Sequence, residues 1–284
     1  MRHLDPPAFD TRATYLTCIS NARPTAKKRL ETFEEPVVCA GDQYEAAAKN
    51  QALHSLKDLA AQPADQADRK ALRKVYKDRM AKEDVPGRDI YDAIKDAAKE
   101  LCPLCGIGKV STIDHQLPQA KYPLLAVVPV NLVPACRDCN TGKGEHSPAT
   151  AEDQTLHPYY DDLFHVPWLA ARLVKKTGSK PMTARFYVSA PVDWDPTLVA
   201  RLETHLRVLD LDGRYRLQVA NHLSTLFHMF TGRPRNGIAD HLARSAEGWT
   251  KTNPNSWESA LYRALAAETW YINGGWKEAA PPHL

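Results

Sequence analysis

The sequence predicts a mainly α-helical protein, with helical N- and C-terminal regions around a small central zinc-stapled ββα module. Three observations predict it. Apolar residues recur at helical spacing through long stretches on both sides of the middle. Outside the middle, the best strand candidate is ARFYVSA, residues 184–190. Two CxxC pairs, Cys102/Cys105 and Cys136/Cys139, bracket two short apolar stretches between them. The expected regions are 1–100, with a basic helix, 101–160 for the module, and 161–284.

At 284 residues the chain can bury a sizeable core, and a quarter of its residues are charged, as in ordinary globular proteins. Its start, MRHLDPPAFDTRATYL, carries charges and prolines where a secretory signal needs an apolar run. The longest aliphatic stretch, LLAVVPVNLV, is short and interrupted by Pro129, so no membrane span is expected. The expectation is a cytoplasmic protein. Cysteine usage agrees, because four of the six cysteines sit in the CxxC pairs while Cys18 and Cys39 stand alone. Those two read as buried thiols. A net charge of +3 is too small to identify a polyanionic partner, and local clustering says more.

In chain order, residues 1 to 40 read as irregular, interrupted by Pro6, Pro7, Pro24 and Pro36. Helical text begins at Asp42, an N-cap candidate, and runs through DQYEAAAKNQALHSLKDLAA. Gln62, Pro63 and Ala64 read as a connection. QADRKALRKVYKDRMAKE follows, with Leu72, Val75, Tyr76 and Met80 as its inner face. PGRDIYDAIKDAAKELC sets Ile90, Ile94, Ala97, Ala98 and Leu101 on one side and delivers the chain to Cys102. Beyond the module, a polar connection leads to an aromatic cluster of Tyr159, Tyr160, Phe164 and Trp168, read as core packing. His157 and His165 read as structural. Asp195-Pro196 is a helix start, with Asp as N-cap and Pro in the first turn. Helical text continues through GRYRLQVANHLSTLFHMF and SWESALYRALAAETWYI.

Inside the bracket the residue types carry chemistry. Four thiolates suit tetrahedral Zn²⁺, and each CxxC turn brings two sulfurs to one ion. The gap of about 30 residues exceeds the usual spacing of roughly 15–20 for paired CxxC sites, so something folded lies between the pairs. KVSTIDHQL reads as one strand, LLAVVPVNLV as a second, and CRDCNTGK as the start of a short helix. Asp114 and His115 fall at the end of the first strand, facing opposite sides by strand alternation. A lone Asp-His step is usually a surface dipeptide, and Asn131 and Asn140 could each cap a turn or helix. All four inside one zinc bracket is the informative fact.

The segment DHQLPQAKYP…VNLVPACRDCNTGKG resembles the HNH, or ββα-metal, endonuclease family. There a D-H step, an N-L step and a C-x-x-C-[HN]-x-x-K-G helix build one site. The match covers residues 102–145. The resemblance implies that His115 is the general base, that Asp114 and Asn140 hold the catalytic cation, and that Asn131 holds the His115 region in pose. It implies phosphodiester hydrolysis leaving 5′-phosphate and 3′-hydroxyl ends, with the structural zinc outside the chemistry. Many HNH enzymes carry histidine at the Asn140 position and another four residues on, where this chain has Gly144. An Asp/Asn oxygen set favours Mg²⁺ or Mn²⁺ at the catalytic centre. Lys143 reads equally as a contact for the scissile phosphate and as a solvated helix lysine.

Around the module, Arg69, Lys70, Arg73, Lys74 and Lys77 form a basic helical stripe able to follow a phosphate backbone. Arg23, Lys27, Lys28 and Arg29 form a weaker patch. The segment LHPYYDD and the overall layout more loosely resemble the HNH effectors of Septu-type and retron-linked antiphage systems, which act with an ATPase. The expected function is a DNA endonuclease in such a defence complex. Its rivals are a free-standing HNH nuclease of a mobile element or phage, and a zinc-ribbon nucleic-acid binding protein that never cuts.

Overall fold

The structure, a computed structural model, describes residues 2–163, 165–175, 177–178 and 182–280, and Phe164 lies outside them. The fold is mainly α with two small antiparallel sheets among the described residues. No helix is long and apolar enough to cross a membrane among those residues. The chain divides into two compact units, Met1–Asp162 and Leu163–Leu284.

The first unit opens with helices where the prolines predicted irregular chain. α1 spans Thr11–Ile19, capped by Asp10, whose carboxylate accepts from the Ala13 amide. α2 spans Pro24–Glu31 and α3 spans Glu34–Lys49. Pro24 and Pro36 both sit in first turns, where the missing amide proton has no helical acceptor anyway. The helical text read from Asp42 is therefore the second half of α3. Acidic Glu34 and Glu35 occupy its first turn and pair with Arg12. The helix stops at Asn50, and a 3-10 turn plus the short α4, Lys57–Ala60, replace the continuous helix expected there.

α5 spans Gln66–Arg79, capped by Asp65, and buries Leu72, Val75 and Tyr76 with Met80 just beyond, the inner face read from sequence. α6, Arg88–Asp96, is shorter than its helical text. It buries Tyr91 and Ile94, with Ala98 buried just beyond it; Ala97 is exposed, and Lys99 and Glu100 take positive φ and leave Leu101 37% exposed. Gly87 allows α6 to start against the end of α5, since a Cβ there would lie 2.6 Å from the Arg79 carbonyl oxygen and 2.7 Å from Cys18 Sγ. Cys18 is a buried free thiol as read, whereas Cys39 is free but exposed.

β1, Thr112–His115, pairs antiparallel with β2, Leu132–Ala135, setting His115 opposite Leu132 and Asp114 opposite Val133. LLAVVPVNLV runs through two 3-10 turns started by Pro123 and Pro129; only its last two residues enter β2. α7, Arg137–Lys143, ends at Gly144 with φ +51°. Leu117, Leu124, Leu125, Val128 and Leu132 share one core with Tyr15, Tyr44, Leu72 and Met80. The N-terminal helices and the central module thus bury their apolar surface together.

In the second unit β3, Leu169–Val174, pairs antiparallel with β4, Thr183–Val188. β4 matches the strand read from ARFYVSA, and its partner was not read. α8 is Pro196–Val208 with Asp195 as its N-cap, and α9 is Leu211–Phe230. α10 is Arg235–Thr252, α11 is Trp257–Ala267 and α12 is Thr269–Ile272. Asn255, 2% exposed, accepts from the Trp168 and Leu169 amides and donates to the Leu163 and Val166 carbonyls.

Candidate active site

Four buried cysteines form the base of the site. The sulfurs of Cys102, Cys105, Cys136 and Cys139 all lie within 4.8 Å of one another. Tetrahedral Zn²⁺ with Zn–S near 2.3 Å implies an S···S edge of about 3.8 Å. Cys105 Sγ and Cys136 Sγ are 3.8 Å apart, so the cluster can hold a zinc ion. The knuckles point amides at the sulfurs: Gly108 donates to Cys105 Sγ at 3.4 Å and Cys139 to Cys136 Sγ at 3.5 Å. Cys136 is also the N-cap of α7, so one residue ties cluster to helix.

β1 carries Asp114 and His115 to opposite sides, each about 5% exposed. His115 turns to α5, where its ring meets Tyr76 edge-on with centroids 4.4 Å apart. Tyr76 in turn donates its hydroxyl to the Ile113 carbonyl at 3.2 Å, fixing the ring that supports His115. His115 Nε2 lies 2.8 Å from the Ala126 carbonyl oxygen. A carbonyl only accepts, so Nε2 carries the proton and the neutral ring has its lone pair at Nδ1. Burial pulls the imidazole pKa down to about 4, with the Lys143 charge adding to that and the Ala126 bond opposing it.

Asn131, fully buried, is a brace. Its Oδ1 accepts from the Leu117 amide at 2.8 Å, and its Nδ2 donates to the Leu117 and Leu125 carbonyls at 3.1 Å each. Its backbone oxygen accepts from the Gln116 amide at 2.8 Å. These bonds hold the residues that follow His115 and the turn that leads to Ala126.

Asp114 turns to α7. Lys143, read as a phosphate contact or a solvated lysine, is instead 4% exposed and committed to Asp114, with Nζ 3.0 and 3.2 Å from its two carboxylate oxygens. It also donates to the His115 carbonyl at 2.7 Å. Burial raises the Asp114 carboxyl pKa, and Lys143 partly counters it. Asn140 is half-buried on the same helix. Hard oxygen donors at Asp114 and Asn140 suit a divalent cation, but the Asp114 charge is already matched by Lys143.

The basic stripe divides. Lys70, Arg73, Lys74 and Lys77 are exposed as expected. Arg69 is not available to phosphate: its guanidinium donates to the carbonyls of Ala60, Gln62, Pro63, Ala120 and Lys121, tying α5 to the loop before the 3-10 turns.

His157 and Tyr159, read as structural and core residues, form a second support. His157, 2% exposed, accepts at Nδ1 from the Tyr159 amide at 3.2 Å and so donates Nε2–H to the Tyr44 hydroxyl at 2.9 Å. Tyr159 gives its hydroxyl to the Leu132 carbonyl at 2.7 Å, directly opposite His115 in the sheet. LHPYYDD is therefore a strap from α3 to β2, and only its histidine and tyrosines marked it. His165, by contrast, is exposed.

A curated protein of Escherichia phage lambda, Protein ea31, is 40% identical to this chain over 221 residues, covering 72% of the chain and 74% of the relative. No family model matches the chain. No solved structure matches it.

Proposed function

The chain belongs to the family of phage lambda Protein ea31, and from its own residues we propose that it is a metal-dependent HNH endonuclease hydrolysing phosphodiester bonds in DNA. One observation carries the reading: the Ala126 carbonyl fixes the proton of His115 on Nε2, leaving Nδ1 with the lone pair a general base needs. Hydrolysis needs a base for the attacking water and charge stabilisation at phosphate and leaving oxygen. His115 takes the water proton at Nδ1, and the imidazolium formed keeps its Nε2–H bond to Ala126. Asn131 and Tyr76 keep the ring in pose and are positioning residues. A Mg²⁺ or Mn²⁺ ion on Asp114 and Asn140 would supply the charge stabilisation. Lys143 holds Asp114 and must release it for the carboxylate to take that role. Cys102, Cys105, Cys136 and Cys139 would hold structural zinc.

The proposed setting is antiphage defence with an ATPase partner. The phage origin of the relative favours a second reading, a free-standing enzyme of a phage or mobile element. The deciding experiment is plasmid cleavage by zinc-loaded protein with added Mg²⁺ or Mn²⁺, beside His115→Ala and with and without a copurifying ATPase. Metal-dependent cutting that drops by about 100-fold or more in the variant is expected. Absence of cutting under every condition would leave the zinc-ribbon binding protein.

A further inference from the structure

Two basic patches lie some forty positions apart in the chain, one on α2 and one on α5. Folding makes them the walls of one groove. A concavity of about 530 Å³ is lined by Arg23, Arg29, Lys74 and Arg79, with Asp78 as its acid. A second, of about 550 Å³, is lined by Lys28, Arg29, Pro24, Thr25 and Thr32 and shares Thr25 and Arg29 with the first. The two adjoin along α2 through these shared residues.

The charges differ in how far they are committed. Arg29 is paired with Asp68 at 2.5 Å and Asp65 at 3.4 Å, and Arg79 donates to the Asn21 side chain. Arg23, Lys28, Lys70, Arg73, Lys74 and Lys77 are exposed and form no ion pair among the described residues. Cations at Lys70, Lys74 and Lys77 advance by about 6 and then 4.5 Å along the helix axis. Phosphates of one DNA strand advance about 3.4 Å each along the duplex axis, so the three lysines together span about three phosphate steps.

We infer that the groove between α2 and α5 is a track for the phosphate backbone of duplex DNA, away from the bond to be cut. The choice of DNA rests on the nuclease reading, whereas the polyanion track rests on the merged charges alone. α5 joins the two functions: Tyr76 on its inner side supports His115, and its outer side presents the cations. Binding along the track therefore bears on the helix that holds the candidate base.

The test is fluorescence anisotropy of a labelled duplex with the full, zinc-loaded chain, without added divalent ion, between about 50 and 200 mM salt. Lys28→Glu with Lys74→Glu changes one exposed residue on each wall, and circular dichroism checks that helix content is kept. The expected result is a loss of affinity of about tenfold or more, with the salt slope shallower by about 2. Arg244→Glu with Lys251→Glu makes the same net-charge change on α10 and should stay within about twofold of wild type. The inference is overturned if the groove variant binds like the wild type or the control, or if polyglutamate binds as tightly as the duplex. Cutting without groove-dependent binding would sink the track and spare the nuclease. Groove-dependent binding without cutting under any metal or partner condition would do the reverse.

Discussion

Asn131 and Lys143 show how much of the site is held by single buried side chains. Asn131→Ala removes three hydrogen bonds and strips the Leu117 amide and carbonyl of their partner, while the Leu125 carbonyl keeps the Val128 amide. It should cost about 2–3 kcal/mol in urea unfolding, and cutting should fall with it. Unchanged stability would show that water replaces the brace. Lys143→Met leaves the Asp114 carboxylate buried without its cation and should cost about 3 kcal/mol. Adding Asp114→Asn should recover most of that loss, because the charge left unpaired is then gone. A double variant no more stable than the single would count against this pairing as the cause. Asn131 was legible as a holding residue from its place in the motif. Lys143 was not, since a helical lysine has the same letter whether it meets solvent or a buried carboxylate.

At the scale of elements, α5 is where sequence and structure diverge most usefully. Its apolar spacing gave the inner face correctly. Its basic stripe mixed two kinds of residue, because Arg69 closes a loop while its neighbours face water. Arg69→Ala should lower stability by about 2 kcal/mol and speed amide exchange in residues 118–122. It should leave the salt slope of DNA binding unchanged, and a shallower slope would return Arg69 to the phosphate contacts. The α1–α3 region failed in the reading for a local reason. Prolines in the sequence read as breaks, yet in a first turn the missing N–H costs nothing. The part of LLAVVPVNLV before Leu132 failed for the converse reason, since an apolar run alone does not distinguish a strand from buried 3-10 turns.

At the scale of the molecule, the four-cysteine cluster joins Cys102, at the end of the helical region, to the cap of α7. Because the module shares its core with α1, α3 and α5, stripping zinc should disturb more than the knuckles. With a chelator, hydrogen exchange in β1, β2 and α7 should lose protection, and far-UV ellipticity should fall. All six tryptophans lie at or beyond Trp168. Their fluorescence reports the Leu163–Leu284 unit, so the two units can be followed separately. Full protection of β1 after chelation would show that packing alone holds the sheet.

The sequence by itself determined the helical class and the cysteine bracket, because spacing along a chain encodes periodicity and turn chemistry directly. Tertiary structure decided which cations are free, which imidazole nitrogen holds its proton, and that two distant basic patches form one groove. Those properties depend on neighbours brought together across tens of residues. Burial and partner geometry set the free energy of a charge or a proton far more than its place in the sequence does.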